Sequence, residues 1–198
     1  MRRPVTATPS TSQGQQCWHL PAMRAVPALV VGLPLPFIQL HSPLVGLIAL
    51  AVLLAGGAAA LWIGRRLVPE AAGSWPTLVA SWSGIVALIA VALAIAAPTE
   101  TLLGLAVALW AIPAGAIELL AWWRMRSVAE PRTLRLVRDW RAVGILTIVL
   151  GLVFAIVRDP VTLTGLLGAY AIIVGVYHAL AALSARPART TTRERSEA

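Results

Sequence analysis

The sequence predicts an all-α, polytopic integral membrane protein whose six transmembrane helices form three tandem helical hairpins. Three observations predict it. Apolar residues make up 59% of the 198 residues and charged ones 12%, where an average soluble domain carries roughly 25% charged residues. With a mean hydropathy of +0.81, most of the chain needs lipid as its solvent. The sixteen basic residues are all arginines, and they flank the apolar runs. The chain also repeats itself at an interval of sixty residues: Gly84 returns as Gly144, Trp110 as Tyr170, Gly115 as Gly175, Glu118 as His178 and Arg126 as Arg186. A proline-containing break separates the helices of each copy, at Pro98 and at Pro160, and an eroded first copy carries Gly46 and Gly57 in the places of Gly104 and Gly115.

Residues 1–24 are polar, rich in Ser, Thr, Gln, Pro and Arg, and aperiodic, which predicts a disordered N-terminus. They lack the pattern of a signal peptide, and Met23-Arg24 reads as an alternative start. Cys17 stands alone, so no internal disulfide forms, and its surroundings are not those of a lipoprotein cleavage site. The degenerate first hairpin, 25–66, opens with Ala25–Leu40, which holds Pro27, Pro34 and Pro36. As ideal helix it covers about 24 Å of a hydrocarbon core about 30 Å thick, so it is either a kinked span or a re-entrant segment. Leu44–Ile63 is a full span in which Gly56-Gly57 and neighbouring alanines permit close helix contact. Val68–Pro76 forms a loop. The second hairpin, 77–126, consists of Thr77–Ala97, a turn at Pro98-Thr99-Glu100, and Leu102–Leu120, which ends in Trp122-Trp123-Arg124, an aromatic and basic membrane boundary. In the basic loop 127–141, Leu134, Leu136 and Val137 alternate with arginines and predict a short interfacial helix. The third hairpin, 142–186, pairs Gly144–Val157 with Leu163–Leu183 across Arg158-Asp159-Pro160, and 187–198 is a polar tail expected to be disordered.

Charge orients the array. Three arginines precede the first span, two lie in the 64–76 loop, six in 122–141 and four in the tail; the turns at 41–43 and 98–101 have none and 158–161 has Arg158 alone. Under the positive-inside rule this alternation fits six crossings with both termini cytoplasmic. The net charge of +8 thus belongs to lipid headgroups, and no nucleic-acid partner is expected.

The chain resembles the HdeD-like family of bacterial six-helix membrane proteins. The likeness rests on Trp75-Pro76, Gly84, Ala97-Pro98 and Gly104 to Arg126, repeated as Trp140-Arg141, Gly144, Gly151, Pro160, Gly175 and Arg186. It covers about residues 30–186, with the first hairpin departing most. The resemblance implies an inner-membrane protein of acid or envelope stress, with no catalytic residues to carry over.

Glu118 and His178 are the candidate functional residues. An ionisable residue at a helix centre costs about 2.5–3.5 kcal/mol on insertion scales. Glu118 shares a face with Ala111, Ala114, Gly115 and Ala121, and His178 with Gly168, Ala171, Gly175, Ala181 and Ala182. Such small-residue stripes pack against other helices, so both groups face the bundle interior as a proton-sensitive pair, or else each pairs with a boundary arginine, Arg124 or Arg186. Gly56, Gly57, Gly115, Gly168 and Gly175 are the expected helix-packing glycines. His41, Glu100 and Asp159 read as solvated turn residues, and Pro113 as a kink beside Trp110. No HExxH, CxxC pair, phosphate loop or Ser/His/Asp set occurs, so no enzyme, metal or cofactor is expected. The expectation is a non-enzymatic inner-membrane protein acting in stress tolerance through membrane or partner interactions. A small proton-handling channel or transporter using Glu118 and His178 is one alternative, and an accessory subunit of another membrane complex a second. The partners are the lipid bilayer and either further copies of the chain or another membrane protein.

Overall fold

A computed structural model describes residues 18–68, 74–127 and 133–185. Among them are six long helices and no strand: α1 His19–Gly32, α2 Pro43–Gly64, α3 Trp75–Ala96, α4 Glu100–Met125, α5 Thr133–Ile156 and α6 Pro160–Ser184. Short 3₁₀ turns follow α1 at Leu35–Phe37 and α2 at Arg65–Leu67. All six are long and apolar enough to cross a membrane, the shortest span being His19–Phe37 with its 3₁₀ extension. The protein is therefore an all-α, polytopic membrane protein.

Two boundaries differ from the sequence reading. The segment expected to be disordered as far as residue 24 is helical from His19. These extra turns bury Leu20 and Pro21, and Leu20 lies where a side chain on Gly64 would stand, 2.4 Å away. They also supply the length that 25–40 lacks. Residues 1–17 lie outside the described ones, as do 186–198. The expected interfacial helix in 127–141 is instead the beginning of α5. Val137, Trp140 and Val143 are buried at 1%, 2% and 3% exposure, a spacing of three that puts them on one helical face. Its apolar side meets protein, with the Trp140 ring tilted at 56° against that of Trp75 of α3, 4.8 Å between centroids.

The helices of α2, α4 and α6 begin with the same device. Ser42 accepts from the Val45 N–H, Thr99 from the Leu102 N–H and Asp159 from the Thr162 N–H, so each N-terminus has a side-chain cap. Arg158 closes the end of α5 by donating to the carbonyls of Phe154, Ala155 and Val157, a favourable place for a cation. The one arginine of the arginine-poor face thus has a local role.

Packing then joins one hairpin to the next. The extensive contacts are α4 with α5, α2 with α3, and α6 with α1, which closes a ring, while α2, α4 and α6 all touch one another at its centre. The glycines explain why. A Cβ on Gly115 would stand 2.6 Å from the Gly144 carbonyl oxygen and 3.1 Å from the Ile148 nitrogen, and one on Gly175 would stand 3.1 Å from the Leu29 nitrogen. Likewise Gly151 closes on Ile112 in α4, and Gly32 closes on Ile172 in α6, sixty residues further along. The crossing of α4 on α5 is thus repeated by α6 on α1, each held by backbone-to-backbone approach that only glycine allows.

At the arginine-poor end the centre is solid. Leu47 and Leu50 of α2, Leu103 and Val107 of α4, and Leu163 and Leu167 of α6 are all 0% exposed. Each pair lies in the first turns after a capped N-terminus. A Cβ on Gly46 would collide with Leu103 and approach Thr164, which shows how tightly the three inner helices converge there.

Candidate functional site

Beyond the leucine layer the centre opens. A cavity of about 60 Å³ lies around the middle of the bundle and on its arginine-rich side, and all six helices contribute to its lining. Its polar lining comes from Arg24, Ser83, Glu118, Thr147, Tyr170 and His178, and its apolar walls from α2 and from Val79, Trp110 and Val174.

Glu118 and His178 both reach this cavity, with exposures of 3% and 4%. They do not hydrogen-bond to each other. Glu118 Oε1 accepts from Arg24 Nη2 at 2.5 Å, the only ion pair among the described residues. The partner is neither boundary arginine: Arg124 is exposed and Arg186 lies outside the described residues. Arg24 sits five residues into α1, about 7.5 Å along its axis, on the face that buries Leu20, Ala28 and Val31. It is therefore an interior charge and not a flanking one. His178 Nε2 is buried without a hydrogen-bond partner.

Two polar contacts brace the cavity across neighbouring helices. Trp110 Nε1 donates to Ser83 Oγ at 3.1 Å. Thr147 Oγ1 donates its single hydrogen to the Val143 carbonyl at 2.7 Å, so Tyr170 is the donor in the 2.8 Å contact between its hydroxyl and Thr147. The rings of Trp110 and Tyr170, which occupy matching places in the repeat, meet edge to face at 5.9 Å. Nearer the arginine-rich end Tyr177 donates to Asp139 at 2.9 Å, and its ring contacts that of His178 at 6.3 Å. Above the cavity Arg24 lies 6.0 Å over Trp75.

No protein-family model, no curated protein and no solved structure matches the chain. The site is defined by its geometry alone.

Among the expected packing glycines, Gly115, Gly168 and Gly175 lie against Gly144, Leu35 and Leu29, and Gly56 against Pro27 of α1. Gly57 differs. A Cβ there would meet nothing within 4 Å, and the same holds for Gly84 on α3. In the repeat these two correspond to Gly115 and Gly144, whose backbones touch. The third copy of that glycine-to-glycine contact is thus missing, and Gly57 borders the cavity. The turn residues stay apart from it. His41 contacts the Gln39 carbonyl at 3.4 Å, Glu100 lies in the first turn of α4, and Asp159 caps α6. Hydrogen bonds from the Thr162 hydroxyl and N–H hold the Asp159 carboxyl below its usual value. Pro113 lies within a continuous α4. No group of three His, Cys, Asp or Glu able to hold a metal occurs among the described residues.

Sequence reasoning missed Arg24, the Trp110–Ser83 and Tyr170–Thr147 pairs, and Tyr177–Asp139. For Arg24 a signal was present: Leu20, Arg24, Ala28 and Val31 fall at helical spacing. The other pairs cross between helices and leave no such trace.

Proposed function

We propose that this chain is a non-enzymatic plasma-membrane protein of acid or envelope stress, its arginine-rich end in the cytoplasm and the Arg24–Glu118–His178 cluster its proton-responsive element. The observation that carries this is a buried imidazole with an unpartnered nitrogen sharing one cavity with a buried ion pair. Histidine is the side chain whose ordinary titration falls between pH 5 and 8. Around His178 the charged or titratable groups are Arg24 from α1, Glu118 from α4, Tyr170 and Tyr177 on α6 itself, and Asp139 of α5 through Tyr177; α2 and α3 contribute no titratable group to the cavity. A proton arriving on His178 therefore adds a cation beside Arg24, which Glu118 already neutralises. That changes the energy of the bundle where three hairpins meet. The resemblance to the HdeD-like family supports the acid-stress setting.

Thermal unfolding of the purified protein in mild detergent, in a gluconate buffer, tests the reading. The wild-type midpoint should move by several degrees between pH 8 and pH 5, and the movement should vanish in His178→Gln. Parallel profiles for the two proteins would reject a proton-responsive His178. Fully buried Leu47, Leu50, Leu103, Val107, Leu163 and Leu167 fill the centre of the arginine-poor end, with the buried Thr164 hydroxyl beside them, and this largely apolar layer favours sensing over conduction. Proton flux through liposomes above that of empty vesicles, and lost in Glu118→Gln, would instead support the channel or transporter alternative.

A further inference from the structure

We infer that the interior cavity is a binding site for one small monoanion, chloride- or formate-sized, taken up together with a proton on His178. The inference rests on the proton-responsive reading above and adds the ligand.

The first argument is charge. The cavity's ionised groups at neutral histidine are Arg24 and Glu118, in contact with each other, so the cluster is neutral. Protonation of His178 leaves one cation in excess, in a place where the imidazole is 4% exposed. A buried charge without a counterion is strongly disfavoured. Glu118 is held by Arg24, and the Asp139 carboxylate, which accepts from Tyr177, is not part of the cavity lining. No other acidic residue lines the cavity. A mobile anion removes the imbalance.

The second argument is the supply of donors. Glu118 uses one nitrogen of Arg24, Nη2, and a guanidinium carries five N–H donors. Ser83 accepts from Trp110 and retains its own hydroxyl hydrogen. His178 Nε2 has no partner and becomes a second ring donor when protonated. Tyr170 spends its hydrogen on Thr147. The cavity therefore offers more donors than acceptors, the pattern an anion requires.

The third argument is size. About 60 Å³ holds roughly four to six water-sized species at ~10–15 Å³ each. That is room for a monatomic or triatomic anion with a few waters. Gly57 borders this room, and a Cβ there would meet nothing within 4 Å.

Chloride binding to the purified protein, measured by calorimetry against equimolar gluconate at pH 5 and pH 8, tests the inference. Chloride should bind at least tenfold more tightly at pH 5, with about one proton taken up per chloride, as linkage demands. His178→Gln should abolish the pH-dependent component. Glu118→Gln leaves Arg24 without its counterion, so this variant should bind chloride at pH 8 as well as at pH 5. Equal wild-type affinity at the two pH values, or no chloride binding by Glu118→Gln at pH 8, overturns the anion site. If the gluconate melting profile still depends on pH through His178 while chloride has no effect, the anion inference fails and the proton-responsive reading stands. If that profile is also flat, both fail.

Discussion

Adding one methyl group at Gly115 and one at Gly57 should change stability in opposite directions. Both glycines lie mid-helix and occupy matching places in the repeat. At Gly115 the new Cβ stands 2.6 Å from the Gly144 oxygen, 2.8 Å from Ile148 Cγ1 and 3.1 Å from the Ile148 nitrogen, whereas ordinary contact begins at 3.4 Å. Two of these atoms are backbone, so α4 and α5 must separate along their most extensive interface. Overpacking of this kind costs about 1–3 kcal/mol. The gain in helix propensity from Gly to Ala, about 1 kcal/mol, offsets part of it. A net loss of up to about 2 kcal/mol is expected for Gly115→Ala. At Gly57 nothing lies within 4 Å, so Gly57→Ala keeps the propensity gain and should stabilise by up to about 1 kcal/mol. The assay is unfolding by titration of a denaturing detergent into mild-detergent micelles, followed by helicity. In a thermal melt, 1 kcal/mol corresponds to about 2–4 °C for a chain of this length. Gly115→Ala combined with Gly144→Ala should cost less than the sum, because one separation relieves both contacts. Equal effects at Gly57 and Gly115 would refute the unequal crossings on which the cavity depends.

Removing either partner of the Arg24–Glu118 pair leaves a buried charge alone, so Arg24→Gln or Glu118→Gln should each destabilise by about 3–5 kcal/mol. The double variant should recover part of that loss, and a double-mutant cycle in the same unfolding assay measures the coupling. Thr147→Val removes the acceptor of the buried Tyr170 hydroxyl and should cost about 1–3 kcal/mol in the same assay, with Tyr170→Phe restoring part of it. Leu103→Ser introduces a polar group into the leucine layer and should raise proton leakage through liposomes; unchanged leakage would show that this layer is not the barrier. Asp159 stabilises α6 as a carboxylate, and its folded value lies below the usual 3.8. Its contribution is therefore complete above that usual value and is lost as pH falls through the lower folded value. Asp159→Asn still caps but cannot titrate, so its melting profile should be flatter between pH 5 and pH 2.

The six spans were legible because lipid imposes a length and an apolar composition that few other structures share. The sixty-residue repeat was legible because the glycines holding α4 on α5 are the same type, at the same spacing, as those holding α6 on α1. Glu118 and His178 stood out as ionisable groups on small-residue faces. What stayed hidden was relational. Arg24 reads as a flanking charge until the helix is seen to start at His19, because its role depends on a glutamate ninety-four positions away. The start of α5 imitates an interfacial helix because a face that packs on protein and a face that packs on headgroups share one periodicity.

The repeat also explains where a cavity can form. Three equivalent hairpins with three equivalent glycine crossings would pack to a closed, solid bundle, and the leucine layer shows how such a centre looks. In the other half two crossings close through glycine backbones, while between α2 and α3 the glycine-to-glycine contact is missing, with nothing within 4 Å of a Cβ on Gly57 or Gly84. The polar groups have diverged in step: Glu118 and His178 occupy one repeat position, and Trp110 and Tyr170 another. Arg24 comes from the eroded copy, which supplies the charge the two better copies lack. The asymmetry therefore concentrates in one half of the bundle, in the residues that line one cavity, while the capped helix starts of the other half stay alike. Drift in an inert scaffold would loosen both halves. Here the missing glycine contact borders the cavity that holds the ion pair and the unpartnered imidazole, and Gly57→Ala distinguishes the two cases. If the open crossing exists to make room, this substitution should stabilise the bundle and weaken chloride binding at pH 5 together. A stabilised variant with unchanged binding would reduce the opening to a packing fault.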